Sequence, residues 1–300
     1  MLLDRSTSVL VTGSSGFVGK HLIPALDSLG FKTLSLSRVE NVLPESDFLA
    51  VIHLAGRAHI MNDTASDPLV AFRAANCDYA LKVAKQAVAA GIKRFVFVSS
   101  IGVNGGESFN SPYTESHTPA PHTPYAQSKY EAELALTELA AQTGLELVIV
   151  RPPLIYGANA PGNFGSLLKW TAKGLPLPLG SIHNRRSLLY VKNLVDFLIL
   201  CTHHPKAANQ TFLLSDGEDV STTQLLQQLS KAQGAPSRLL PVPSSWLRGA
   251  MRLVGKAKNS NSLAQRLLGN LQVDSTKARE LLGWTPPFGF EAGVADMFAI

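Results

Sequence analysis

Val11-Thr12-Gly13-Ser14-Ser15-Gly16-Phe17-Val18-Gly19 joins an apolar strand to the start of a helix, and this stretch decides the fold. Glycines three residues apart allow a tight turn, let the backbone approach a diphosphate and bring the helix close to the sheet. The spacing differs from the G-x-G-x-x-G pattern, whose first two glycines are closer together. The position before the first helix predicts a dinucleotide-binding loop. The expected contacts are Gly13, Ser15, Gly16, Phe17 and Val18.

Outward from this loop, apolar β-branched runs alternate with amphipathic segments. Strands are predicted at residues 8–12, 32–37, 50–54, 94–99 and 145–150, and helices at 19–29, 72–90 and 125–142. Continuous apolar strands separated by helices indicate a parallel sheet covered on both faces. Right-handed crossovers then make the fold α/β and doubly wound, of the Rossmann type.

The amino-acid composition changes after Arg151-Pro152-Pro153, where proline and glycine become more frequent. A helix at 191–201 and a strand at 210–214 are expected to return to the sheet, and residues from 217 onward are mostly helical. We therefore expect a dinucleotide-binding domain at 1–160, which residues 188–216 rejoin. A smaller, mostly helical substrate-binding domain is expected from 161–187 and 217–300.

Composition narrows the class of protein. The 300 residues are 45% hydrophobic and carry a formal net charge of +5. The Lys and Arg residues are scattered rather than gathered into a stripe, which favours an anionic small-molecule substrate over nucleic acid. Cys77 and Cys201 have neither metal-ligand spacing nor a disulfide framework, so no metal is expected and a reducing cytoplasm is indicated. The apolar runs are too short for membrane insertion.

Tyr125 and Lys129 lie four residues apart, after Thr123-Pro124, a capping residue and a favoured first helical residue. This spacing places the phenol and the ammonium on one helix face. A nearby cation is expected to lower the pKa of the phenol toward neutrality. Ser100 ends an apolar strand upstream. The pattern indicates proton chemistry next to a hydride carrier.

The end of the second strand contacts the adenine ribose in dinucleotide-binding folds. A carboxylate at that point accepts a hydrogen bond from the 2′-hydroxyl of NAD. This chain has Ser37-Arg38 there, and a guanidinium suits a 2′-phosphate. NADP(H) is therefore favoured, with NAD(H) the alternative. Small residues after the third strand, Leu54, Ala55 and Gly56, allow a dinucleotide to cross the sheet edge.

Together these residues resemble the NAD-dependent epimerase/dehydratase branch of the extended short-chain dehydrogenase/reductase superfamily. The resemblance rests on the glycine loop, His53-Leu54-Ala55-Gly56, Asn76, Val98-Ser99-Ser100, Tyr125-Ala126-Gln127-Ser128-Lys129, Arg151-Pro152-Pro153-Leu154-Ile155-Tyr156-Gly157 and Leu281-Leu282-Gly283-Trp284. It implies that Tyr125 is the acid/base, that Lys129 holds the nicotinamide ribose and that Ser100 binds the reacting oxygen. It also implies cofactor contacts at Asn76 and Pro152.

The resemblance further implies a nucleotide-sugar substrate, for which a UDP-sugar is expected. Asn163 and Arg186 would bind its diphosphate, with Arg266 as a second phosphate contact. The segment 175–180 would lie along the nucleobase. Related proteins dimerise through the helices predicted here at 72–90 and 125–142, so a homodimer is expected. The basic amphipathic stretch 246–254 is consistent with a membrane-surface role, but a helix covering the substrate domain is favoured.

Departures from the family pattern restrict the reaction. Family dehydratases carry an Asp-Glu pair after the catalytic hydroxyl residue, whereas Ile101-Gly102 follows Ser100 here. Residues 53–63 are most similar to bacterial polysaccharide-pathway proteins. With Arg38 in place of an acid, these features favour an NADPH-dependent reductase of a UDP-linked 4-keto sugar. A UDP-sugar 4-epimerase is the alternative. A reductase of apolar ketones would not need Asn163 and Arg186, and an NADP-sensing regulator would not need the Tyr-Lys pair.

Overall fold

The structure of the protein, a computed structural model, describes residues 7–37, 42–43, 47–58, 67–254 and 260–299. The strands in these ranges are β1 (Ser8–Thr12), β2 (Lys32–Leu36), β3 (Phe48–His53), β4 (Arg94–Val98), β5 (Glu146–Arg151), β6 (Leu154–Tyr156), β7 (Arg186–Tyr190), β8 (Gln210–Leu213) and β9 (Asp219–Val220). The α-helices are α1 (Phe17–Ser28), α2 (Pro68–Arg73), α3 (Tyr79–Ala89), α4 (Pro124–Thr143), α5 (Gly162–Ala172), α6 (Val191–His203), α7 (Thr222–Ala232), α8 (Ser244–Val254), α9 (Ser260–Leu268), α10 (Thr276–Leu282) and α11 (Phe290–Asp296).

Six parallel strands form the main sheet in the order β2-β1-β3-β4-β5-β8. The strand order reverses at β1, because β2 lies on one side of it and β3 on the other. In open α/β sheets, ligands bind outside the carboxyl ends of the strands at this point. The predicted doubly wound fold is confirmed. Gln210 of β8 pairs with Val148 of β5, so β8 is the edge strand of this sheet.

The hydrophobic core covers both faces of this sheet. Val9 and Val11 of β1 pack on the face covered by α1 and α6, whereas Leu10 packs on the face covered by α3 and α4. This is the period-two alternation of a strand that is buried on both sides. Each fully buried aliphatic side chain stabilises the fold by about 1.5–3 kcal/mol relative to an exposed one.

Local sequence determines both ends of α4. The hydroxyl of Thr123 accepts a hydrogen bond from the backbone N–H of Ala126 at 3.1 Å, and Pro124 occupies the first helical position. Gly144 ends the helix in the left-handed conformation, with φ of +73°. The predicted helix is therefore confirmed, and its start is well defined. This matters because Tyr125 lies in the first turn.

The helix predicted at 72–90 is not continuous. A π-helical turn at Ala74–Asp78 separates α2 from α3. π-Turns occur often at functional sites because the extra residue redirects a side chain. Here the turn contains Asn76, which is completely buried.

A second, three-stranded sheet, β6-β7-β9, lies outside the main sheet and was not predicted from the sequence. A separate hydrophobic cluster surrounds it, formed by Tyr156, Phe164, Leu188, Tyr190, Val220, Leu226, Phe290 and further apolar residues. Helices α5, α7 and α11 contribute to this cluster. Within the described ranges, no helix has both the length and the apolar character needed to span a membrane.

Candidate active site

The glycine loop follows β1 and makes close backbone contacts. Gly13 has φ of +74°, and a β-carbon there would lie 2.7 Å from the backbone nitrogen of Ala55. A β-carbon on Gly19 would lie 2.5 Å from the carbonyl oxygen of Gly13. The turn is closed by a 3.0 Å hydrogen bond from the Gly16 N–H to the Gly13 oxygen. Glycine is therefore required both for the turn and for the packing of α1 against it.

The N-terminus of α1 fits the diphosphate of a dinucleotide. Gly16 is its N-cap residue, no side chain caps the helix and its first turn contains no acid. Ser15 and Gly16 are exposed, and Phe17 and Val18 are half-buried. Free N–H groups at a positive helix end attract anions.

The segment after β3 is held beside this loop. The hydroxyl of Thr12 lies 3.0 Å from Nδ1 of His53 and accepts a 3.2 Å hydrogen bond from the Ala55 N–H. The Leu54 N–H donates to the Thr12 carbonyl oxygen at 3.1 Å. The predicted contacts at Leu54 and Ala55 thus lie against Gly13. The sequence did not reveal the part played by Thr12.

Asn76 organises the same segment from the π-helical turn. Its side-chain oxygen accepts a 2.6 Å hydrogen bond from the Arg57 N–H. Its amide nitrogen donates to the Arg57 oxygen at 3.2 Å and to the hydroxyl of Ser128 at 3.0 Å. A β-carbon on Gly56 would lie 3.1 Å from the Asn76 side-chain oxygen and 3.5 Å from Nζ of Lys129. Asn76 therefore links the loop after β3 to α4.

The structure brings Ser100, Tyr125 and Lys129 together. Ser100 follows β4, and its Oγ accepts a 3.1 Å hydrogen bond from the Gly102 N–H. The phenol of Tyr125 lies close enough to the Ser100 side chain for Ser100 to lower its pKa. Lys129 donates from Nζ to the Val98 carbonyl oxygen at 2.8 Å. Two helical residues thus meet the end of one strand, as the sequence predicted.

The pKa of Tyr125 differs from the sequence expectation. Burial raises the pKa of the phenol to about 12, and the Ser100 side chain opposes this only in part. Burial also lowers the pKa of Lys129 to about 8, opposed by the charge of Glu133. The predicted lowering by Lys129 is therefore wrong for this structure. Desolvation is the largest cause of both shifts, because burial disfavours the charged form of each group.

A buried ion pair, not anticipated from the sequence, supports this centre. Arg151 donates to Glu133 from Nε at 3.0 Å and from Nη2 at 2.5 Å. The Ser99 hydroxyl donates to the same carboxylate at 2.5 Å, and Arg151 also donates to the Asn104 side chain at 3.0 Å. The pair joins α4, the end of β4 and the end of β5.

Pro152 and Ser37 stand at opposite ends of the predicted dinucleotide site. The Pro152 carbonyl oxygen accepts a 2.9 Å hydrogen bond from the Ile101 N–H, which places Pro152 next to Ser100. Ser37 is exposed directly after β2. Arg38 and the segment Met61-Asn62-Asp63 lie outside the described residues. The NADP(H) prediction therefore rests on the sequence.

Arg186, at the start of β7, is partly buried near Glu107 and Arg266. Its Nη1 donates to the Gly269 carbonyl oxygen at 3.0 Å. Burial lowers the pKa of its guanidinium to about 10; the charge of Glu107 opposes this shift, and that of Arg266 adds to it. Burial and Arg266 also lower the pKa of His122. A partly desolvated guanidinium near a second cation favours an anionic ligand.

Asn163 occupies the first turn of α5 and is half-buried. Its neighbour Phe164 packs against Tyr156, with ring centroids 5.8 Å apart. The binding roles predicted for Asn163 and Arg186 remain predictions.

The structure is a Rossmann-type fold in which Ser100, Tyr125 and Lys129 meet near the glycine loop and the segment after β3. Residues 9–214 match the family described as "NAD dependent epimerase/dehydratase family". The chain therefore belongs to this family. The family resemblance and the expectation of an NAD(P)-dependent enzyme are confirmed.

Two curated relatives match nearly the whole chain. The UDP-glucose 4-epimerase of Vibrio cholerae is 41% identical, and the match covers 95% of this chain and 93% of the relative. The N-acetyl-alpha-D-glucosaminyl-diphospho-ditrans,octacis-undecaprenol 4-epimerase of Escherichia coli O157:H7 is 27% identical, with 96% and 93% covered.

Among solved structures, the fold matches UDP-glucose 4-epimerase of Thermotoga maritima with UDP-glucose. The TM-score is 0.76 and the identity 23%, with 97% of each chain covered. At that identity, the likeness shows the fold.

Proposed function

We propose that the protein is a 4-epimerase of a UDP-linked hexose. The observation that carries this proposal is the convergence of Ser100, Tyr125 and Lys129 at the end of β4, in a chain 41% identical to a UDP-glucose 4-epimerase. The sequence favoured a 4-ketoreductase, with the epimerase as alternative, and the relatives support the alternative better. Both reactions use the same three residues at C4 of a nucleotide-sugar.

The chain's own residues account for the proton transfers. Tyr125 takes the proton of the C4 hydroxyl while Ser100 holds the same oxygen. A pyridine dinucleotide held by the glycine loop would supply the acceptor for the C4 hydride and its later return. After the 4-keto sugar presents its other face, Tyr125 returns the proton to the C4 oxygen. The Ser100 side chain lowers the pKa of the phenol and so opposes the desolvation that raises it. Lys129 would hold the nicotinamide ribose.

The residues that would hold the dinucleotide are the glycine loop, Leu54, Ala55, Gly56, Ser37, Arg38, Asn76, Lys129 and Pro152. The cofactor is NADP(H) or NAD(H). Arg38 favours the phosphorylated form, whereas an epimerase that recycles its cofactor usually retains NAD. On the substrate side, Arg186 and Asn163 would bind the diphosphate, with 161–187 and 217–300 as the substrate domain.

The two C4 reactions differ in their consumption of cofactor. The purified protein should release a stoichiometric dinucleotide on denaturation and should convert UDP-glucose, or its N-acetyl analogue, without added cofactor. Chromatography of released nucleotides and of sugar products measures both. Stoichiometric NADPH consumption with a UDP-linked 4-keto-6-deoxy sugar, and no epimerisation, would establish the reductase instead. Thermal stabilisation by a hydrophobic ketone but not by UDP would refute the nucleotide-sugar substrate.

We also propose that the protein forms a homodimer through α3 and α4. Val70 of α2 and Leu134 of α4 are large exposed apolar side chains on this side of the molecule. Sedimentation velocity should show a dimer, and Leu134→Glu should shift it toward monomer. A monomeric wild-type protein would contradict this.

A further inference from the structure

Acidic residues are missing from most of the substrate-side half of the chain. Residues 161–187 and 220–273 contain no Asp or Glu, although the chain holds 22 in 300 residues. At that average, about six would be expected in these 81 residues. The same segments contain eleven cations: Lys169, Lys173, Arg185, Arg186, Lys231, Arg238, Arg248, Arg252, Lys256, Lys258 and Arg266. The remaining residues hold 16 cations and 22 acids, so this region carries the chain's entire positive excess.

Large apolar side chains are exposed on the same region. Trp170 is 39% exposed, Leu175 46%, Leu240 51% and Trp246 75%. By contrast, Trp284 in the main core is 5% exposed. Exposed tryptophan next to cations is typical of surfaces that enter the headgroup region of a bilayer.

Backbone pairing joins the segments that carry these side chains. The Leu177 N–H donates to the Arg238 oxygen at 3.0 Å, and the Leu240 N–H donates to the Leu177 oxygen at 2.8 Å. The first segment follows α5, which ends beside Trp170, and the second leads into α8. We call the exposed side chains of these segments and of the helices next to them the basic face: Trp170, Lys173, Leu175, Arg238, Leu240 and Trp246.

Helix α8 lies along the surface at the end of the basic face. Leu247 is partly buried and packs on the substrate-side core. Trp246, one residue earlier, is exposed, and so is Arg248, which donates from Nη2 to the Leu268 carbonyl oxygen at 3.1 Å. The helix is therefore attached by one side and presents tryptophan and arginine on another.

We propose that the basic face docks on the surface of an anionic phospholipid bilayer. Each Lys or Arg near such a surface strengthens binding by about fivefold, and these segments contain no acid to oppose it. The exposed tryptophan and leucine side chains would enter the boundary between headgroups and acyl chains. Nucleic acid would also attract the cations, and Trp170 and Trp246 could stack on bases, but exposed Leu175 and Leu240 add aliphatic area that suits acyl chains better than bases. The docking is peripheral.

Vesicle binding tests this directly with the full-length protein. The protein should co-sediment with vesicles of phosphatidylcholine and phosphatidylglycerol at low salt, and not with pure phosphatidylcholine. Lys173→Glu/Arg238→Glu should weaken binding at least about tenfold. The matched control Lys93→Glu/Lys206→Glu makes the same change in net charge at two exposed positions outside the basic face. It should retain most of the binding.

Fluorescence and an apolar substitution test the insertion. Tryptophan emission should shift to shorter wavelength with anionic vesicles, and Trp246→Phe should remove most of that shift. Trp246→Ser should weaken vesicle binding severalfold, whereas Leu29→Ser, also at an exposed apolar position, should not. All variants should keep wild-type turnover of a soluble UDP-sugar.

Other results would overturn the proposal. These are equal binding to neutral vesicles, no vesicle binding at all, or equal losses in the control variants. The protein could bind DNA and no vesicles, with the DNA affinity reduced by substitution of Lys173, Arg238 or Trp246. This result would show that the basic face is a nucleic-acid surface. Trp246→Ser could change the oligomeric state in the absence of vesicles and leave vesicle binding unchanged. This result would show that the basic face is a contact between copies of the chain.

Discussion

The ammonium of Lys129 donates a 2.8 Å hydrogen bond to the main-chain oxygen of Val98, two residues before Ser100. Its Nζ also lies 4.6 Å from the centroid of the Phe97 ring. The strand that presents Ser100 therefore also positions the lysine. The hydrogen bond therefore holds the ammonium of Lys129, which α4 carries, against the end of β4.

The pH dependence of dinucleotide binding follows from Lys129. Its pKa is lowered to about 8, so the ammonium donor is present below pH 8 and is lost as the pH rises through that value. Affinity for the dinucleotide should fall by up to about tenfold per pH unit above pH 8. Calorimetric titrations at pH 7, 8 and 9 measure this. Lys129→Met should bind weakly at every pH, and an unchanged pH dependence in this variant would show that another group is responsible.

Removal of the Tyr125 hydroxyl should abolish most of the turnover but leave dinucleotide binding nearly unchanged. Tyr125→Phe should lower kcat by about 10²–10⁴-fold, because general acid–base transfer contributes about that much. The dissociation constant of the dinucleotide should change by less than about threefold, since the ring remains. Initial rates and titration calorimetry separate the two effects. Lost cofactor binding without a specific loss of turnover would make Tyr125 structural.

Local constraints made part of the site predictable from the sequence. Gly13, Gly16 and Gly19 are required by a turn and a close approach within nine residues. Tyr125 and Lys129 lie on one helix, whose cap is visible as Thr123-Pro124. Ser100 ends a recognisable strand. In each case, the geometry follows from neighbouring residues alone.

Long-range pairing explains what the sequence did not predict. The Glu133–Arg151 pair forms only when α4 and β5 meet. The residues adjacent to either one in the sequence do not predict this pairing. The π-helical turn at Asn76 interrupts an otherwise regular periodicity. The second sheet uses strands as short as Asp219–Val220, which carry too little pattern to be recognised. The Lys and Arg residues are scattered along the sequence. The positive charge is concentrated only because residues 161–187 and 220–273 contain no acid.

The buried Glu133–Arg151 pair should contribute strongly to stability. Both side chains are almost fully buried, so Glu133→Ala leaves an unpaired guanidinium and should cost about 3–5 kcal/mol. Glu131→Ala, two residues earlier, breaks the exposed pair with Arg73 and should cost less than about 1 kcal/mol. Urea unfolding measures both. In the double variant Glu133→Leu/Arg151→Met, the loss should be smaller than in Glu133→Ala. Equal losses in Glu133→Ala and Glu131→Ala would contradict the buried-charge argument.

Arg186 should act on substrate binding rather than on turnover. Arg186→Gln should raise the KM for the nucleotide-sugar by about ten- to hundredfold, since a charged hydrogen bond contributes about 1.5–3 kcal/mol. The value of kcat should stay within about threefold. Lys192→Gln, which removes an exposed cation paired with Asp296, is the matched control and should leave KM unchanged. A fall in kcat alone would place Arg186 outside the diphosphate site.

Asp216 should make stability depend on pH. Its Oδ1 accepts hydrogen bonds from the Tyr190 N–H at 2.8 Å and from Nδ2 of Asn193 at 2.7 Å. Burial nevertheless raises the pKa of this carboxyl to about 6. Because the folded state then binds a proton more readily than the unfolded state, this group adds stability below about pH 6 and loses it as the pH rises through 6.

The isosteric variant Asp216→Asn isolates that contribution. Between pH 7.5 and pH 5, the free energy of unfolding of the wild-type protein should rise by about 1.4 kcal/mol more than that of the variant. Urea unfolding at the two pH values measures the difference, and other titrating groups cancel because they are common to both proteins. The side-chain oxygen of the introduced asparagine can still accept from Tyr190 and Asn193, so the fold should be retained. Parallel pH profiles for the two proteins would show that Asp216 titrates normally.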